Sequence, residues 1–488
     1  MTRIRASVAL LLVSLATPAA AAEEAAEGKE LHVGPGRAYA TPAGALKAAN
    51  DGETILIHPR SDGRAYQRVA LYVTQKRLTI RAAREPGQPR VVLSGKGFNY
   101  SGRGRTPRAI VQFNRGADGC VLEGFELTGA GNRTHNGAGV RINQANGVTV
   151  RDCEIHRNDM GAMSNGNRTG RAGADQRFVG CVFHHNGNHE DPGYNHNLYL
   201  GGAGVTLLFC EVHTSLTGHN IKSRAHVTRV LYSYVHDSAN REFDLVDSQE
   251  TERPGSDAVL VGNLIVKDPE CKGNRAVIHF GRDGKRGHDG TLHLIHNTIV
   301  TPFVSPVVEL SADRADANLL GNLVWGAGAR RRGQRIARFR NGAAPAGLRG
   351  VYNAFGRAFG VPDGAGLHRA KNAFSLPAKG LFVAPGERDY RLAGRHAGKL
   401  LSPIAAGQVR VPRPGGGKTP GGDASGPGRR GKPPEQPRPD RSGAAAAAVT
   451  VPPGGAALLW QYRHPAGGQK RPDRDANRPA LGAFGVDR

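Results

Sequence analysis

The sequence predicts an all-β fold, a β-solenoid, because one short segment pattern recurs along most of the chain. Each copy is an apolar stretch that closes on a hydrophobic triplet, and neighbouring copies lie 23 to 34 residues apart. The segments between them show no helical periodicity, and a repeat of this length is typical of solenoids in which each repeat is one coil. Alignment of nine copies places one residue of each in a single column: Phe125, Cys153, Cys181, Cys210, Ser233, Asn263, Asn297, Asn322 and Asn353.

The aligned column predicts ladders of like side chains. Equivalent positions of successive coils lie about 4.8 Å apart, so their side chains stack. We expect Cys153, Cys181 and Cys210 to be buried free thiols, because stacked side chains point in parallel and fit disulfide geometry poorly. The asparagines that continue the column should hydrogen-bond to one another at a turn.

The two ends of the chain differ in composition from the repeats. Residues 1–22 have a basic start, an apolar run and small residues, which is typical of a cleaved signal peptide and predicts a secreted or periplasmic bacterial protein. Residues 28–405 form the predicted solenoid, with an amphipathic helix from about Pro42 to Ala49 as its N-terminal cap. Residues 406–447, rich in Gly, Pro and Arg, predict a disordered linker. Residues 448–488 recover strand character and are expected to pack back on the solenoid.

Charge points to the class of partner. Lys and Arg total 66 against 41 Asp and Glu, a formal net charge of +25. Such an excess favours acidic polysaccharides or an anionic cell surface, whereas nucleic acid is disfavoured because no aromatic stacking platform accompanies the charge. Beyond the signal peptide no apolar run is long enough to cross a bilayer. A monomer is expected.

The strand that opens each coil yields a second column, which we call the groove column. Residues alternate in and out along a strand, and the outward ones form a stripe. These are Gln112, Arg141, Tyr199, Lys222, Asp244, His279, Glu309 and Arg338. One coil between Gly161 and Asn195 cannot be registered from its pattern. The stripe is either a working site or an ordinary solvated ladder of charges, and its mixture of cations, carboxylates and an aromatic hydroxyl over adjacent coils favours the site.

Three segments carry a resemblance to a known family. The repeats, the N-terminal ALKAAN…DGETILIHP and the closing ERDYRL…LSPIAAG and LGAFG resemble the pectin-lyase-like right-handed parallel β-helix superfamily. The resemblance implies three parallel sheets per coil and an active groove along one sheet and its flanking loops. It is specific for fold but not for function, because this scaffold carries lyases, hydrolases, epimerases, esterases and binding proteins.

Superfamily members that cleave uronic-acid polysaccharides use Lys or Arg to remove the proton next to a carboxylate. The resemblance therefore implies Lys222 as the base, Arg224 as the group that neutralises the substrate carboxylate, and Tyr199 or His279 as the proton donor to the departing oxygen. Arg224 would disfavour the ammonium form of Lys222, but the acidic residues of the next coil act in the opposite direction, so the direction of its pKa shift stays open.

Calcium is the one cofactor that the resemblance suggests. Asn220, Glu242 and Asp244 are similar to the Asn and Glu-x-Glu calcium set of alginate and chondroitin lyases, and oxygen ligands suit this ion. The order differs from that family, because Lys222 and Arg224 precede the acidic residues instead of following them.

Further side chains near the groove column are expected to contact the substrate. They are Asn197, His196, His219, Arg141 and Arg338.

The sequence thus predicts a secreted carbohydrate-active protein, a lyase that acts on an acidic polysaccharide by proton abstraction. The alternative is a non-catalytic protein that binds exopolysaccharide or a cell surface through its basic stripe and tail. A glycoside hydrolase would need clustered aspartates, and here only Asp244 and Asp247 are available.

Overall fold

A computed structural model describes residues 28–84, 88–167, 169–327 and 333–393, together with the backbone of four short strands nearer the C terminus. The predicted signal peptide, most of the predicted linker and most of the C-terminal segment lie outside the described residues. No helix in the described part of the chain is long and apolar enough to span a membrane.

Three long, entirely parallel sheets form the body of the molecule. The chain visits them in turn, so one strand of each makes a coil. The twelve-stranded sheet contains Glu30–Val33, Thr54–Ile57, Thr79–Ala82, Val121–Glu123, Thr149–Arg151, Gln176–Val179, Gly204–Leu208, Val227–Leu231, Ala258–Val261, Gly290–Ile295, Ala315–Leu320 and Leu348–Val351. The eleven-stranded sheet contains Val91–Ser94, Phe125–Thr128, Glu154–His156, Val182–His184, Glu211–His213, Tyr234–His236, Leu264–Val266, Thr298–Val300, Leu323–Trp325, Ala354–Gly356 and Ala373–Leu376. The ten-stranded sheet contains Leu71–Val73, Ala109–Phe113, Ala138–Asn143, Met160–Asn165, Leu198–Leu200, Ile221–Ser223, Phe243–Val246, Ile278–Gly281, Val308–Ser311 and Ala337–Phe339. The fold is therefore a parallel β-helix.

Short elements complete the described chain. An α-helix spans Pro42–Ala48; Thr41 caps it by accepting from the Gly44 N–H, and it contacts the first strands. Whether it shields the open end of the solenoid stays a prediction. Three 3-10 turns span Pro345–Gly347, Arg369–Lys371 and Pro385–Glu387. Four short strand pairs are Gln334–Arg335 with Phe359–Gly360, Phe382–Ala384 with Asp389–Leu392, Arg410–Pro412 with Ala448–Thr450, and Trp460–Arg463 with Gly467–Lys470. The third pair begins inside the predicted linker.

The interior contains the predicted ladders. All five cysteines are buried free thiols, as expected for Cys153, Cys181 and Cys210. The asparagines hydrogen-bond in series: the Asn297 amide donates to Asn322 at 3.1 Å, and the Asn322 amide to Asn353 at 2.9 Å. Each amide also donates to a backbone carbonyl of the coil before it, at 2.8 Å for both Asn297 and Asn322. The ladder therefore satisfies buried polar groups while it fixes the turn.

Candidate functional site

The groove column lies in register along the ten-stranded sheet. Tyr199 pairs with Lys222, Lys222 with Asp244, and Asp244 with His279. Glu309 and Arg338 continue the column. The coil that the sequence could not register supplies the strand Met160–Asn165, in which Met163 lies between Arg141 and Tyr199.

Lys222 is held between two carboxylates. Its Nζ lies 2.6 Å from Asp244 Oδ2 and 2.6 Å from Asp283 Oδ2. Burial acts to lower the pKa of Lys222, but the two carboxylates outweigh it and the pKa lies above its ordinary value. Lys222 is therefore an ammonium ion near neutral pH. This arrangement argues against Lys222 as the proton-abstracting base, because a general base must be unprotonated.

Arg224 connects the same loop carboxylate to an aromatic hydroxyl. Its Nη2 lies 3.0 Å from Asp283 Oδ1, and its Nε donates to the Tyr199 hydroxyl oxygen at 3.1 Å. Its Nη1 also donates to the Asp247 carbonyl. The half-buried Tyr199 thus receives a charge-assisted hydrogen bond, the kind that stabilises negative charge on an oxygen.

Asp283 lies on an exposed loop that is anchored to Asp247 of the preceding coil. The Asp247 carboxylate is buried and accepts from three backbone N–H groups of this loop. These are Asp283 and Gly284, each at 2.8 Å, and Arg286 at 2.9 Å. A carboxylate that collects several backbone donors is a strong anchor. It sets the position of the Asp283 side chain over Lys222.

His196 and His219 stack beneath the groove, with ring centroids 5.1 Å apart. The Nδ1 of His196 accepts from the His219 backbone N–H at 3.0 Å, and the Nδ1 of His219 accepts from the Arg241 N–H at 3.2 Å. Both rings therefore carry their proton on Nε2. Burial lowers the pKa of His219 to about 4 and that of His196 well below its usual value. Neither ring has a free lone pair to act as a base, and both are buried away from a polymer in the groove.

Asp244 is the electrostatic centre of the site. Its Oδ1 lies 2.8 Å from His279 Nδ1 and 3.2 Å from Arg241 Nη1, and its Oδ2 lies 3.4 Å from His219 Nε2. Burial alone would raise the pKa of Asp244, but these partners and Lys222 hold it well below the ordinary value. The carboxylate is therefore ionised and fully engaged. His279 is itself buried, and its Nε2 lies 2.6 Å from Ser311 Oγ, so in this arrangement it contacts Ser311 and not the open groove.

Three residues predicted to face the groove instead point inward. Asn197, Asn220 and Glu242 are fully buried. The Asn197 amide donates to Asn220 at 2.8 Å, and the Asn220 amide donates to Glu242 at 2.6 Å. The physical reason is the corner of the coil: each residue precedes its strand, where the alternation of the strand no longer applies. Asn197 is thus buried beneath the groove, and its contact with a substrate stays a prediction.

The calcium hypothesis does not fit these residues. Glu242 accepts hydrogen bonds from the Asn220 amide and from the Ser238 N–H. Asp244 forms ion pairs with cationic side chains and a hydrogen bond with His279. The oxygens of Asn220, Glu242 and Asp244 thus already serve hydrogen bonds and ion pairs within the protein.

The remaining predicted contacts are arginines. Arg141 is half-buried, and its Nη2 donates to Asn165 at 3.2 Å. Burial, with the nearby charge of Arg108, lowers its pKa. Arg338 donates to Glu309, which also lies 3.4 Å from Arg241. Arg141 is thus the better candidate to bind a substrate carboxylate, because Arg338 is already paired with the carboxylate of Glu309.

Sequence reasoning missed Asp283, Arg241 and Met163 as groove residues and gave Ser311 no role. The signal for Asp283 was present, because residues 282–289 interrupt the repeat and insertions of a solenoid cluster on one face. Pairing of Asp283 with Lys222 could not be predicted, since the loop contains several charged residues of both signs.

Structural comparison finds several solved proteins to which the chain is similar. The pectate lyase Pel9A is similar over 94% of this chain and 97% of that one, with a TM-score of 0.45 and 14% identity. DFA-IIIase from Arthrobacter chlorophenolicus A6 is similar over 71% and 99%, with a TM-score of 0.33 and 14% identity. Pectin methylesterase PemA from Erwinia chrysanthemi is similar over 70% and 92%, with a TM-score of 0.27 and 10% identity. No known family model and no curated protein sequence matches the chain.

The predicted parallel β-helix is confirmed by the order and the parallel pairing of its strands. The identities to these solved structures are 10 to 14%, so the activity is argued from the site alone.

Proposed function

We propose that the protein is a carbohydrate-active enzyme that acts on a uronic-acid polysaccharide by β-elimination. One observation carries the proposal: Lys222 and Arg224 together hold a carboxylate, that of Asp283, at 2.6 and 3.0 Å. Two fixed cations on one carboxylate are what elimination next to a uronate carboxylate requires, because negative charge develops on those oxygens.

In this proposal the substrate carboxylate replaces Asp283 against Lys222 and Arg224. Lys222 acts as an electrostatic stabiliser and not as the base originally predicted, because it is an ammonium ion. Tyr199 is the proton-transfer group, since its oxygen is within one hydrogen bond of Arg224, whose charge stabilises a phenolate.

The elimination consumes and releases no net proton, because one group takes up the proton and returns it. The Tyr199 phenolate oxygen takes the proton from the carbon next to the carboxylate and becomes a hydroxyl, and the electron pair forms a carbon–carbon double bond as the glycosidic oxygen departs. The same hydroxyl can return the proton to that oxygen when both lie on one side of the sugar ring. Arg141 lies two positions along the column from Tyr199, roughly 10 Å away at one sheet spacing per coil, and would bind a carboxylate on a neighbouring sugar.

The test is the ultraviolet absorbance of an unsaturated uronate product across a panel of acidic glycans. The wild type should produce it on at least one polymer, and Tyr199→Phe should reduce turnover by about 100- to 10,000-fold while binding persists. Tyr72→Phe is the matched control, because Tyr72 is a half-buried tyrosine of the same column four positions before Tyr199.

Two results would contradict the proposal. Full activity of Tyr199→Phe on a confirmed polymer would exclude Tyr199 as the proton-transfer group. Binding of acidic glycans with no unsaturated product from any of them would support the non-catalytic alternative. Secretion remains a prediction from residues 1–22, which lie outside the described residues.

A further inference from the structure

A carboxylate, an imidazole and a hydroxyl follow one another across three successive coils. Asp244 Oδ1 lies 2.8 Å from His279 Nδ1, and His279 Nε2 lies 2.6 Å from Ser311 Oγ. The parallel register sets this order, with Asp244 opposite His279 and Gly281 opposite Ser311. A nucleophile bonded to a base that a third group orients is the arrangement that acyl transfer requires.

We propose that Asp244, His279 and Ser311 form a hydrolytic triad that cleaves a carboxylic ester carried by a glycan. Ser311 is the nucleophile and His279 the general base, while Asp244 is a positioning residue that keeps the proton of the imidazole on Nδ1. Asp244 suits this role because it is ionised and held by several donors. The reaction needs no proton transfer by Tyr199, so it is distinct from the elimination proposed above.

The chemistry balances with water as the only co-reactant. Ser311 Oγ attacks the ester carbonyl carbon while its proton passes to His279 Nε2. The bond to the sugar oxygen then breaks, and His279 returns the proton to that oxygen, which leaves an acyl group on Ser311. Water attacks the acyl carbon with His279 again as base, and the carboxylic acid is released with the serine restored.

Ser311 has hydrogen-bond partners that fit a nucleophile at rest. Its hydroxyl proton can go to His279 Nε2 or to the Arg282 carbonyl at 3.0 Å, and the Arg282 N–H donates to Oγ at 2.7 Å. That N–H already points at the reacting oxygen. It fixes the orientation of the serine side chain; the oxygen that becomes negatively charged in the tetrahedral intermediate is the carbonyl oxygen of the ester, a different atom.

The loop over Ser311 controls access to it. Ser311 and His279 are buried, while residues 282–287 are exposed. Gly281, with φ of +139°, brings the loop backbone close, because a Cβ there would lie 2.7 Å from Ser311 Oγ. An ester reaches the hydroxyl only when this loop shifts. Small acyl groups such as acetyl are therefore the expected substrates.

The experiment uses the full-length protein with two readouts. A fluorophosphonate probe tests whether Ser311 becomes covalently labelled, as mapped by mass spectrometry. Release of acetate from acetylated polysaccharides, and hydrolysis of p-nitrophenyl acetate, test turnover. We expect labelling at Ser311 and a loss of hydrolysis of at least about 100-fold in Ser311→Ala and in His279→Gln. Ser223→Ala is the matched control, because Ser223 is buried in the same sheet but bonds to Thr228 at 2.7 Å.

If Asp244, His279 and Ser311 only stabilised the fold, the two readouts would give different results. Ser311→Ala would then lower the melting temperature, while the wild type would neither hydrolyse esters nor react with the probe, and this result would overturn the proposal. Labelling at any other residue would do the same. Because labelling is measured on the unmodified protein, it decides the question even if a variant fails to fold.

Discussion

The carboxylate of Asp283 lies 2.6 Å from the ammonium of Lys222, although the two residues are 61 positions apart in the chain. Asp283 comes from an exposed loop, whereas Lys222 lies on a buried strand. Burial would raise the pKa of Asp283, but Lys222 and Arg224 outweigh it and hold the pKa below its usual value. The loop thus supplies an anion that a uronate would have to replace.

Replacing Asp283 by Asn should therefore increase affinity for free uronates. The neutral amide competes less well for the two cations, and we expect Kd for galacturonate or glucuronate to fall by up to about tenfold, equal to about 1.4 kcal/mol. Isothermal titration calorimetry at low salt measures the change. Asp62→Asn, which removes an exposed pair with Arg60 in an early coil, is the control. Weaker binding in Asp283→Asn would mean that Asp283 contacts the sugar itself.

Lys222→Met should destabilise the protein strongly. It removes the shared partner of Asp244 and Asp283 and leaves a buried carboxylate with fewer compensating cations, a change that typically costs about 3–5 kcal/mol. Urea unfolding followed by circular dichroism gives the value. Lys285→Met, on the exposed loop, should change it little. A loss below about 1 kcal/mol in Lys222→Met would show that the remaining cations suffice.

Asn297→Ala should cost about 1–3 kcal/mol, because it leaves the neighbouring ladder groups without partners. The Asn263 amide loses its acceptor at 2.9 Å, and the Asn263 N–H loses one at 3.0 Å. Asn318→Ala, an exposed asparagine of the next coil, serves as the control in the same unfolding measurement. Equal stability of the two variants would refute a stabilising role for the ladder.

Acid should destabilise the protein from about pH 6.5 downward, before most carboxylates begin to titrate. Burial lowers the pKa of His213 to about 3 and those of His219 and His226 to about 4. In the unfolded chain these rings titrate near 6.5, so the unfolded state binds more protons between pH 6.5 and 4 and stability falls as the pH falls through this window. Melting temperatures across that range test this. His226→Gln should flatten the slope by up to about 1.4 kcal/mol per pH unit.

The orientation of side chains within strands could be predicted from the sequence, whereas that of side chains at the corners of the coils could not. Within strands the alternation of side chains placed Lys222, Asp244 and His279 in one column, because every coil repeats the same period. The same rule failed at Asn220 and Glu242, which precede their strands and turn into the interior. Backbone direction at a corner depends on packing against other coils, which no local pattern records.

The electrostatics of the site depended on distances that the sequence does not contain. The sign of the Lys222 pKa shift was open because it required the two carboxylates to be within hydrogen-bond distance. Ser311 lay beside the predicted groove, yet its bond to His279 depends on the fold of a loop. Residues of the inserted loops therefore determine the chemistry of the site, whereas the repeated coils determine the architecture.

The anchoring of this loop by Asp247 has an evolutionary consequence. Asp247 binds the loop through backbone N–H groups at positions 283, 284 and 286. Any residue except proline at 283 and 286 can preserve the anchor, whereas a Cβ at Gly284 would lie 2.9 Å from Asp247 Oδ2. The side chains at positions 283 and 286 can thus change while the path of the loop is kept. New substrate preferences could arise here by single substitutions, without cost to the solenoid beneath.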